Sequence, residues 1–393
     1  MSRAAIDRRR VLIVTSLFPN NLSPGHAPFN RRQFVALAKM ADVEVVGVVP
    51  RRLGDSMVQG LLKEETIESL RVVHPRYLSV RGLPSLNAAS MVAALLPGLA
   101  RRVRERGCDV LLGSYAYPEG CATVLLGRIL KVPVVVKCHG SDLDRVTRHH
   151  LIRHQLQCLL PRARAVVAVS GHLAARARDL GVPSERVHVV YNGIDRQRFC
   201  PMSQSEARRR LHLPPDRDVV LFMGHLEEHK GVHDLLQAAP ILWSRRPKAT
   251  IVFVGAGPSR PALQAAANDT GGPTIRLVDP VPHDEVPFWM AAADVVCLPS
   301  WNEGMPNVIR EAHACGRPVV AARVGGIPEA VHTADLGILV PARDPLALAE
   351  ALARQLDRPR LDPDALSRLA SVPTWEESAQ HLFDILRRVS GSA

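Results

Sequence analysis

Asp294-Val295-Val296-Cys297-Leu298-Pro299-Ser300-Trp301-Asn302-Glu303-Gly304-Met305-Pro306-Asn307-Val308-Ile309-Arg310-Glu311-Ala312 passes from an unbroken apolar run, through a short polar loop, into residues whose apolar positions recur at helical spacing. The run Asp294–Leu298 reads as a strand buried on both faces. Val308, Ile309, Ala312 and Cys315 fit a helix packed on a sheet. Pro306 near its start costs no hydrogen bond, because first-turn amides have no intrahelical partner. A strand, a tight loop and a helix in that order form one half of a parallel α/β unit. The free amides and positive end of such a helix point into the crevice beyond the strand, where an anion, most naturally a phosphate, is stabilised. Glu303 stands at that mouth. Glu311, eight positions on, is placed about two turns further in, within reach of the far side of the same ligand.

Outward from this stretch the same alternation repeats along the whole chain. Short β-rich runs at 11–17, 43–49, 71–73, 109–112, 134–137, 165–169 and 187–191 are separated by helical stretches. A second set follows at 218–224, 250–254, 274–278, 294–298, 318–322 and 337–340. Two such sets predict two doubly wound, Rossmann-like domains with parallel sheets, over 1–195 and 196–372. The break is expected after Tyr191-Asn192-Gly193-Ile194-Asp195, with the polar segment ending in Leu213-Pro214-Pro215 as linker. A final helix over 373–393, opened by the capping box Thr374-Trp375-Glu376-Glu377 and carrying Leu382, Ile385 and Leu386, is expected to cross back to the first domain. Ligand is expected in a cleft that the strand ends of both sheets face.

Length and composition fit this organisation. The 393 residues exceed one ordinary core, and 47% hydrophobic with 22% charged residues describes a globular chain. The longest apolar segment, Leu86 to Ala100, is too short and too interrupted to span a bilayer. Arg8-Arg9-Arg10 before Val11-Leu12-Ile13-Val14 imitates a signal peptide, but the apolar run ends at Pro19 without a small-residue cleavage site, so it reads as the first core strand. Seven scattered cysteines without zinc or redox spacing read as reduced core thiols of a cytoplasmic protein.

The net charge of +12 is uneven: residues 1–190 carry +14 and the remainder −2. Clusters such as Arg101-Arg102-Val103-Arg104-Glu105-Arg106 suggest a face drawn to anionic lipid, at about 1 kcal/mol per basic side chain, and peripheral association with the inner face of the plasma membrane. The plainer alternative is a chain that uses arginine freely. Nucleic acid is not an expected partner, since no recognised module or aromatic platform accompanies the charge.

Several further segments stand at expected strand ends. Gly25, in the loop Phe18–Phe34 after the first strand, would let backbone amides approach a phosphate. Val134-Val135-Val136-Lys137-Cys138-His139-Gly140 leaves His139 at the carboxyl edge of a buried strand, where a neutral imidazole can donate to a hydroxyl and would titrate near pH 7. Ser114-Tyr115-Ala116-Tyr117-Pro118-Glu119-Gly120 ends another strand on the same edge. Gly255-Ala256-Gly257 hints at a phosphate loop but lacks the third glycine of a dinucleotide fingerprint.

The run Pro-Ser-x-x-Glu-Gly-x-Pro-x-x-x-x-Glu-Ala, with Gly316-Arg317-Pro318-Val319-Val320-Ala321 and Gly325-Gly326-Ile327-Pro328-Glu329, resembles the retaining glycosyltransferases of family 4, which have the GT-B fold. The likeness extends over about residues 11–345, and Tyr115-Ala116-Tyr117-Pro118 is similar to a segment of enzymes that build teichuronic-type and exopolysaccharide chains. The resemblance implies that Glu303 contacts sugar hydroxyls, Glu311 the ribose, His139 the sugar or its phosphate, and Lys230 the diphosphate. It implies donor contacts from Gly25, Asn192, His225, Gly255, Val281, Gly304, Met305, Pro306, Asn307 and Glu311, and acceptor-side roles for Tyr115, Tyr117 and Glu119. One departure stands out, because His225 occupies a place where the family has an arginine, removing a bidentate donor of fixed charge. A protonated His225 would replace part of it, and activity would then fall as pH rises past neutrality.

The expected reaction is transfer of a sugar from a nucleotide diphosphate donor, UDP-linked, to a hydroxyl of a bacterial surface glycan or lipid-linked acceptor, with retention. No cofactor is expected, and no metal, since basic groups take its place and no carboxylate pair in an Asp-x-Asp arrangement is expected. A nucleotide-sugar epimerase of the same fold and a non-catalytic binding subunit are the alternatives.

Overall fold

The computed structural model describes residues 8–52, 60–269 and 275–391. It divides into two compact units, Met1–Gly193 with Trp375–Ala393, and Ile194–Thr374.

In the first unit the strands are β1 (Arg10–Thr15), β2 (Asp42–Gly47), β3 (Val49–Arg51), β4 (Glu64–Ile67), β5 (Leu70–Val73), β6 (Arg76–Leu78), β7 (Val110–Ser114), β8 (Val134–Cys138), β9 (Ala165–Ala168) and β10 (Val187–Val189). Eight of them form a sheet in the order β10-β9-β8-β7-β1-β2-β5-β4. All neighbours run parallel except β4, which pairs antiparallel with β5 at the edge. The expectation of parallel sheets therefore needs this one correction: Glu64 to Ile67 alternates toward solvent, as a one-sided edge strand does. β3 and β6 pair separately as a two-stranded parallel sheet. Successive strands move to one side from β1 through β2 to β5, and to the other from β7 through β8, β9 and β10, so the order reverses between β1 and β7. Loops that follow β1 and β7 consequently meet over the same sheet edge.

One face of this sheet is covered by helix α1 (Pro28–Ala38) and by the C-terminal helix Trp375–Ser390. Leu382, Ile385 and Leu386 are buried there, each worth roughly 1.5–3 kcal/mol of transfer free energy. Helix α2 (Asn87–Arg106) includes the longest apolar segment except Leu86 and buries only Ala88, Met91, Leu95 and Leu99. Among the described residues no helix is long and apolar enough to cross a membrane.

The second unit holds β11 (Asp218–Met223), β12 (Ala249–Val254), β13 (Ile275–Val278), β14 (Val295–Leu298), β15 (Val319–Ala322) and β16 (Gly337–Val340). They form one parallel sheet in the order β13-β12-β11-β14-β15-β16, which reverses between β11 and β14. Thr274, expected to open β13, lies outside the described residues. The segment expected as a linker is instead part of this unit. Residues Gln204–Arg210 are helical, and Phe199, Ala207, Leu211 and Leu213 are buried in the core. Arg208 donates to Asp294 at 2.6 Å. The polar residues that suggested a linker are the solvent face of this short helix and one buried ion pair.

All seven cysteines are free. Burial pushes the thiols of Cys121, Cys138, Cys297 and Cys315 far above their ordinary range, so they behave as small apolar side chains.

Candidate functional site

In the second unit, the segments after β11 and β14 leave the sheet at the point where its strand order reverses. β11 leads through His225 to Lys230, and β14 leads through Pro299 and Ser300 to Glu303. Lys230 Nζ donates to Glu303 Oε1 at 2.7 Å, and Ser300 Oγ donates to the same oxygen at 2.9 Å. The carboxylate is mostly shielded while the ammonium is about a quarter exposed. An ammonium has three N–H donors, so Lys230 can bind an anion without releasing Glu303.

Two glycines make this approach possible. Gly231 has φ +74°, and a Cβ there would lie 2.1 Å from Pro299 O. Gly325 has φ +54°, and a Cβ would lie 1.6 Å from Glu303 O. Gly326 N donates to Gly304 O at 3.0 Å, and Trp301 N to His229 O at 2.8 Å. The Trp301 ring is held by its Nε1 bond to Asp234, 2.7 Å, and by the Arg343 guanidinium 4.0 Å over its face. The loop carrying Glu303 is thus fastened on three sides.

The helix after the loop runs Asn307–Ala314, with Pro306 at its N-cap. Glu303 therefore lies in the loop, four residues before the helix, and Glu311 stands about one turn inside it rather than two. Glu311 Oε1 is 3.9 Å from His283 Nε2. Met305 and Pro306 are buried, while Gly304 and Asn307 are half-buried at the entrance. Gly255 N follows β12, and its Cβ would meet Gly224 O at 2.0 Å, which locks the turns after β11 and β12 together. His225 is exposed between them, and Val281 is half-buried in the loop after β13.

In the first unit His139 follows β8, half-buried, with Nε2 2.9 Å from Ser114 Oγ at the end of β7. Ser114 Oγ donates in turn to Asn30 Oδ1 of α1, 3.4 Å. Phe29 and Tyr115 flank the imidazole, with ring centroids at 5.2 and 6.4 Å. Burial, reinforced by the neighbouring Lys137, holds its pKa well below the usual histidine range. His139 is therefore neutral and does not titrate near pH 7, a correction to the sequence-based expectation with desolvation as its cause.

Lys137 itself is fully buried, and burial brings it down to about 7. It donates to Gln33 Oε1. Gln33 Nε2 donates to Ser378 Oγ at 2.8 Å, and Ser378 Oγ to Tyr191 O at 2.5 Å. A charge inside Val134-Val135-Val136-Lys137, and the pair Asn30 and Gln33 three apart on one face of α1, were visible signals that sequence reasoning passed over.

Tyr115, Tyr117 and Glu119 diverge. Tyr115 has φ +105°, a sparsely populated conformation, and its hydroxyl is 2.6 Å from Ser141 Oγ. Tyr117 is buried, donating to Pro84 O at 2.7 Å. Glu119 is fully buried; one oxygen accepts from the Ser16 amide and hydroxyl while Oε2 has no hydrogen-bond partner. Burial raises its pKa to about 7. Of the three, Tyr115 alone presents a side chain that is not buried. Asn192 is buried beyond β10. Gly25 is exposed in a loop where a Cβ would meet nothing, so its conformational freedom is not demanded there.

Asp-x-Asp pairs do occur, at Asp142–Asp144, Asp216–Asp218 and Asp362–Asp364. The pair beside His139 is already engaged. Asp142 accepts from the amides of His139, Gly140 and Ala116, and Asp144 lies 3.1 Å from His172 and 3.5 Å from Arg176.

Two family descriptions match the chain, glycosyl transferases group 1 over residues 217–358 and glycosyltransferase family 4 over residues 33–198. Relatives include a Bacillus subtilis glycosyltransferase named for teichuronic acid biosynthesis, 28% identical over 88% of each chain. A D-inositol 3-phosphate glycosyltransferase of Salinispora tropica is 33% identical over 81% of this chain and 73% of its own. Among solved structures, sucrose-phosphate synthase of Thermosynechococcus elongatus superimposes with a TM-score of 0.76 at 21% identity, covering 98% of this chain and all of the other. HepE of Anabaena, solved with UDP, gives 0.73 at 20% over 96% of this chain and all of its own.

Two doubly wound units of this kind have the GT-B fold of these solved glycosyltransferases. The chain belongs to the group 1, family 4 glycosyltransferases and is accordingly a transferase.

Proposed function

We propose that the protein transfers a sugar from UDP-sugar, with retention of anomeric configuration, to a hydroxyl of a surface glycan or lipid-linked acceptor. The observation that carries this reading is the Lys230–Glu303 pair, set directly before the helix Asn307–Ala314. The diphosphate would sit against Lys230 Nζ and the amides at the entrance of that helix, where negative charge developing on the leaving group is stabilised. Glu303, anchored by Ser300 and Lys230, would accept hydrogen bonds from the sugar hydroxyls. Glu311 is assigned to the ribose. In the other unit the neutral imidazole of His139 is assigned to a substrate hydroxyl, and Tyr115 to the acceptor side.

Solved relatives with UDP and UDP-glucose support the choice of donor. The name of the Bacillus subtilis relative supports a cell-envelope polysaccharide as the product. Positive charge from Lys230 and the helix entrance makes the mechanism metal-independent, so excess chelator should leave the rate unchanged. Exposed Arg101 and Arg104 suit an anionic membrane surface, whereas Arg102 is engaged with Glu44 at 2.7 Å.

The deciding experiment incubates the protein with UDP-, GDP- and ADP-sugars and bacterial membranes. Acceptor-dependent UDP release, with an α-linked product from an α-linked donor by NMR, supports the proposal. An isomerised UDP-sugar without UDP release would identify an epimerase instead, and absence of turnover with every donor a binding subunit.

A further inference from the structure

The second unit contains an unusual arginine at the sheet edge opposite Lys230 and Glu303. Arg317 precedes β15, just as Asp294 precedes β14. Its side chain is only 5% exposed, and its Nε is buried without a hydrogen-bond partner. Leaving such a donor without a partner is unfavourable, and more so when it carries charge. Burial lowers the pKa of the guanidinium more than the charge of Asp294 raises it, and Arg360 and Arg208 add repulsion.

The nearby acid attracts the charge but gives Arg317 Nε no hydrogen bond. Asp294 already accepts from Arg208 at 2.6 Å, Arg360 at 2.6 Å, Val219 N at 2.6 Å and Gln204 at 2.9 Å. All of its lone-pair sites are therefore taken. Arg317, Arg358 and Arg360 line a cavity of about 280 Å³ together with Asp294, the exposed Asp335 and Gly316. Arg358 spends one nitrogen on Ala334 O at 2.9 Å and keeps further donors. The lining thus has more guanidinium donors than acceptors, with the most deeply buried one unmatched.

We propose that this cavity is a binding site for a phosphate group, held by Arg317 from below and by Arg358 and Arg360 at its rim. A tetrahedral oxyanion supplies several acceptors and matches guanidinium forks, which chloride does not. The volume accommodates inorganic phosphate or the phosphate end of a small monoester. The site is separate from the proposed donor site and does not depend on the reading of function.

The test titrates the full chain and its Lys230→Ala variant with inorganic phosphate and, separately, glycerol 3-phosphate, against chloride at equal ionic strength, by calorimetry and thermal unfolding. Saturable binding of either phosphate compound, retained in Lys230→Ala, is expected. Tighter binding of the monoester would indicate a phosphorylated metabolite as occupant, and equal binding free phosphate; both support the site. Arg317→Gln should weaken binding at least tenfold while unfolding at an equal or higher temperature without phosphate, because a desolvated charge with a partnerless Nε is gone. Exposed Arg360→Gln should weaken it about threefold, and decides the matter should Arg317→Gln fail to fold. No binding of either compound, binding lost with Lys230→Ala, or binding unchanged by the arginine substitutions would overturn the proposal.

Discussion

Glu303 and Lys230 are joined at 2.7 Å, so neither can be removed without changing the other. Glu303→Gln keeps the shape of the side chain and its bond from Ser300 but removes the charge. Turnover is expected to fall at least tenfold while calorimetric UDP affinity changes little, because the lost contact is to the sugar. Unchanged turnover would remove Glu303 from the mechanism. Lys230→Ala should weaken UDP binding far more than uridine binding, since only the former carries the diphosphate; equal losses would contradict the assignment. His225→Arg restores a forked donor in an exposed position between the turns after β11 and β12, and on the proposed function is expected to lower the apparent KM for the donor.

At the scale of elements, the site depends on close backbone contact between loops. Gly325→Ala would place a methyl group 1.6 Å from Glu303 O, at a φ of +54° that alanine resists. The Glu303 loop must then move, and we expect both a loss of several kcal/mol in stability, by chemical denaturation, and loss of activity. A Gly25→Ala substitution meets open space and is the matched control for stability. The C-terminal helix is tied into the first unit by Ser378, which accepts from Gln33 at 2.8 Å and donates to Tyr191 O. Ser378→Ala removes the acceptor of the buried Gln33 side chain and should cost roughly 1–3 kcal/mol, read from denaturant midpoints.

For the molecule as a whole, two buried groups of the first unit shape stability against pH. Lys137 is brought down from 10.5 to about 7, so between those values the unfolded chain holds the extra proton and stability rises with pH. Glu119 is raised from 4.5 to about 7, so over that interval the folded chain holds the extra proton and stability falls with pH. Relative to the parent, Lys137→Met should abolish a rise on the order of 5 kcal/mol at full extent above pH 7, and Glu119→Gln a decline below it. Parallel stability curves for parent and variants would show that these groups titrate normally.

Much of this architecture was written in local pattern. Apolar runs of three to seven residues identified thirteen of the strands, because a strand buried on both faces leaves no polar position for solvent. Pro306 and the apolar spacing at Ile309 and Ala312 located the helix entrance within one residue. The edge strand β4 escaped because its residues alternate weakly, and the segment 196–215 read as a linker because its few buried side chains, Phe199, Ala207 and Leu211, are scattered among polar ones. Sequence alone determined the two doubly wound sheets, through the period of their apolar runs, and it offered Glu303 and His139 as candidates at strand ends and Lys230 by resemblance to the family. Only the tertiary structure decided that Lys230 reaches Glu303, that Glu119 is sealed against Ser16, and that Arg317 is buried unmatched. Distance, burial and the competition for hydrogen-bond partners are set by residues far apart in the chain, and no local pattern encodes them.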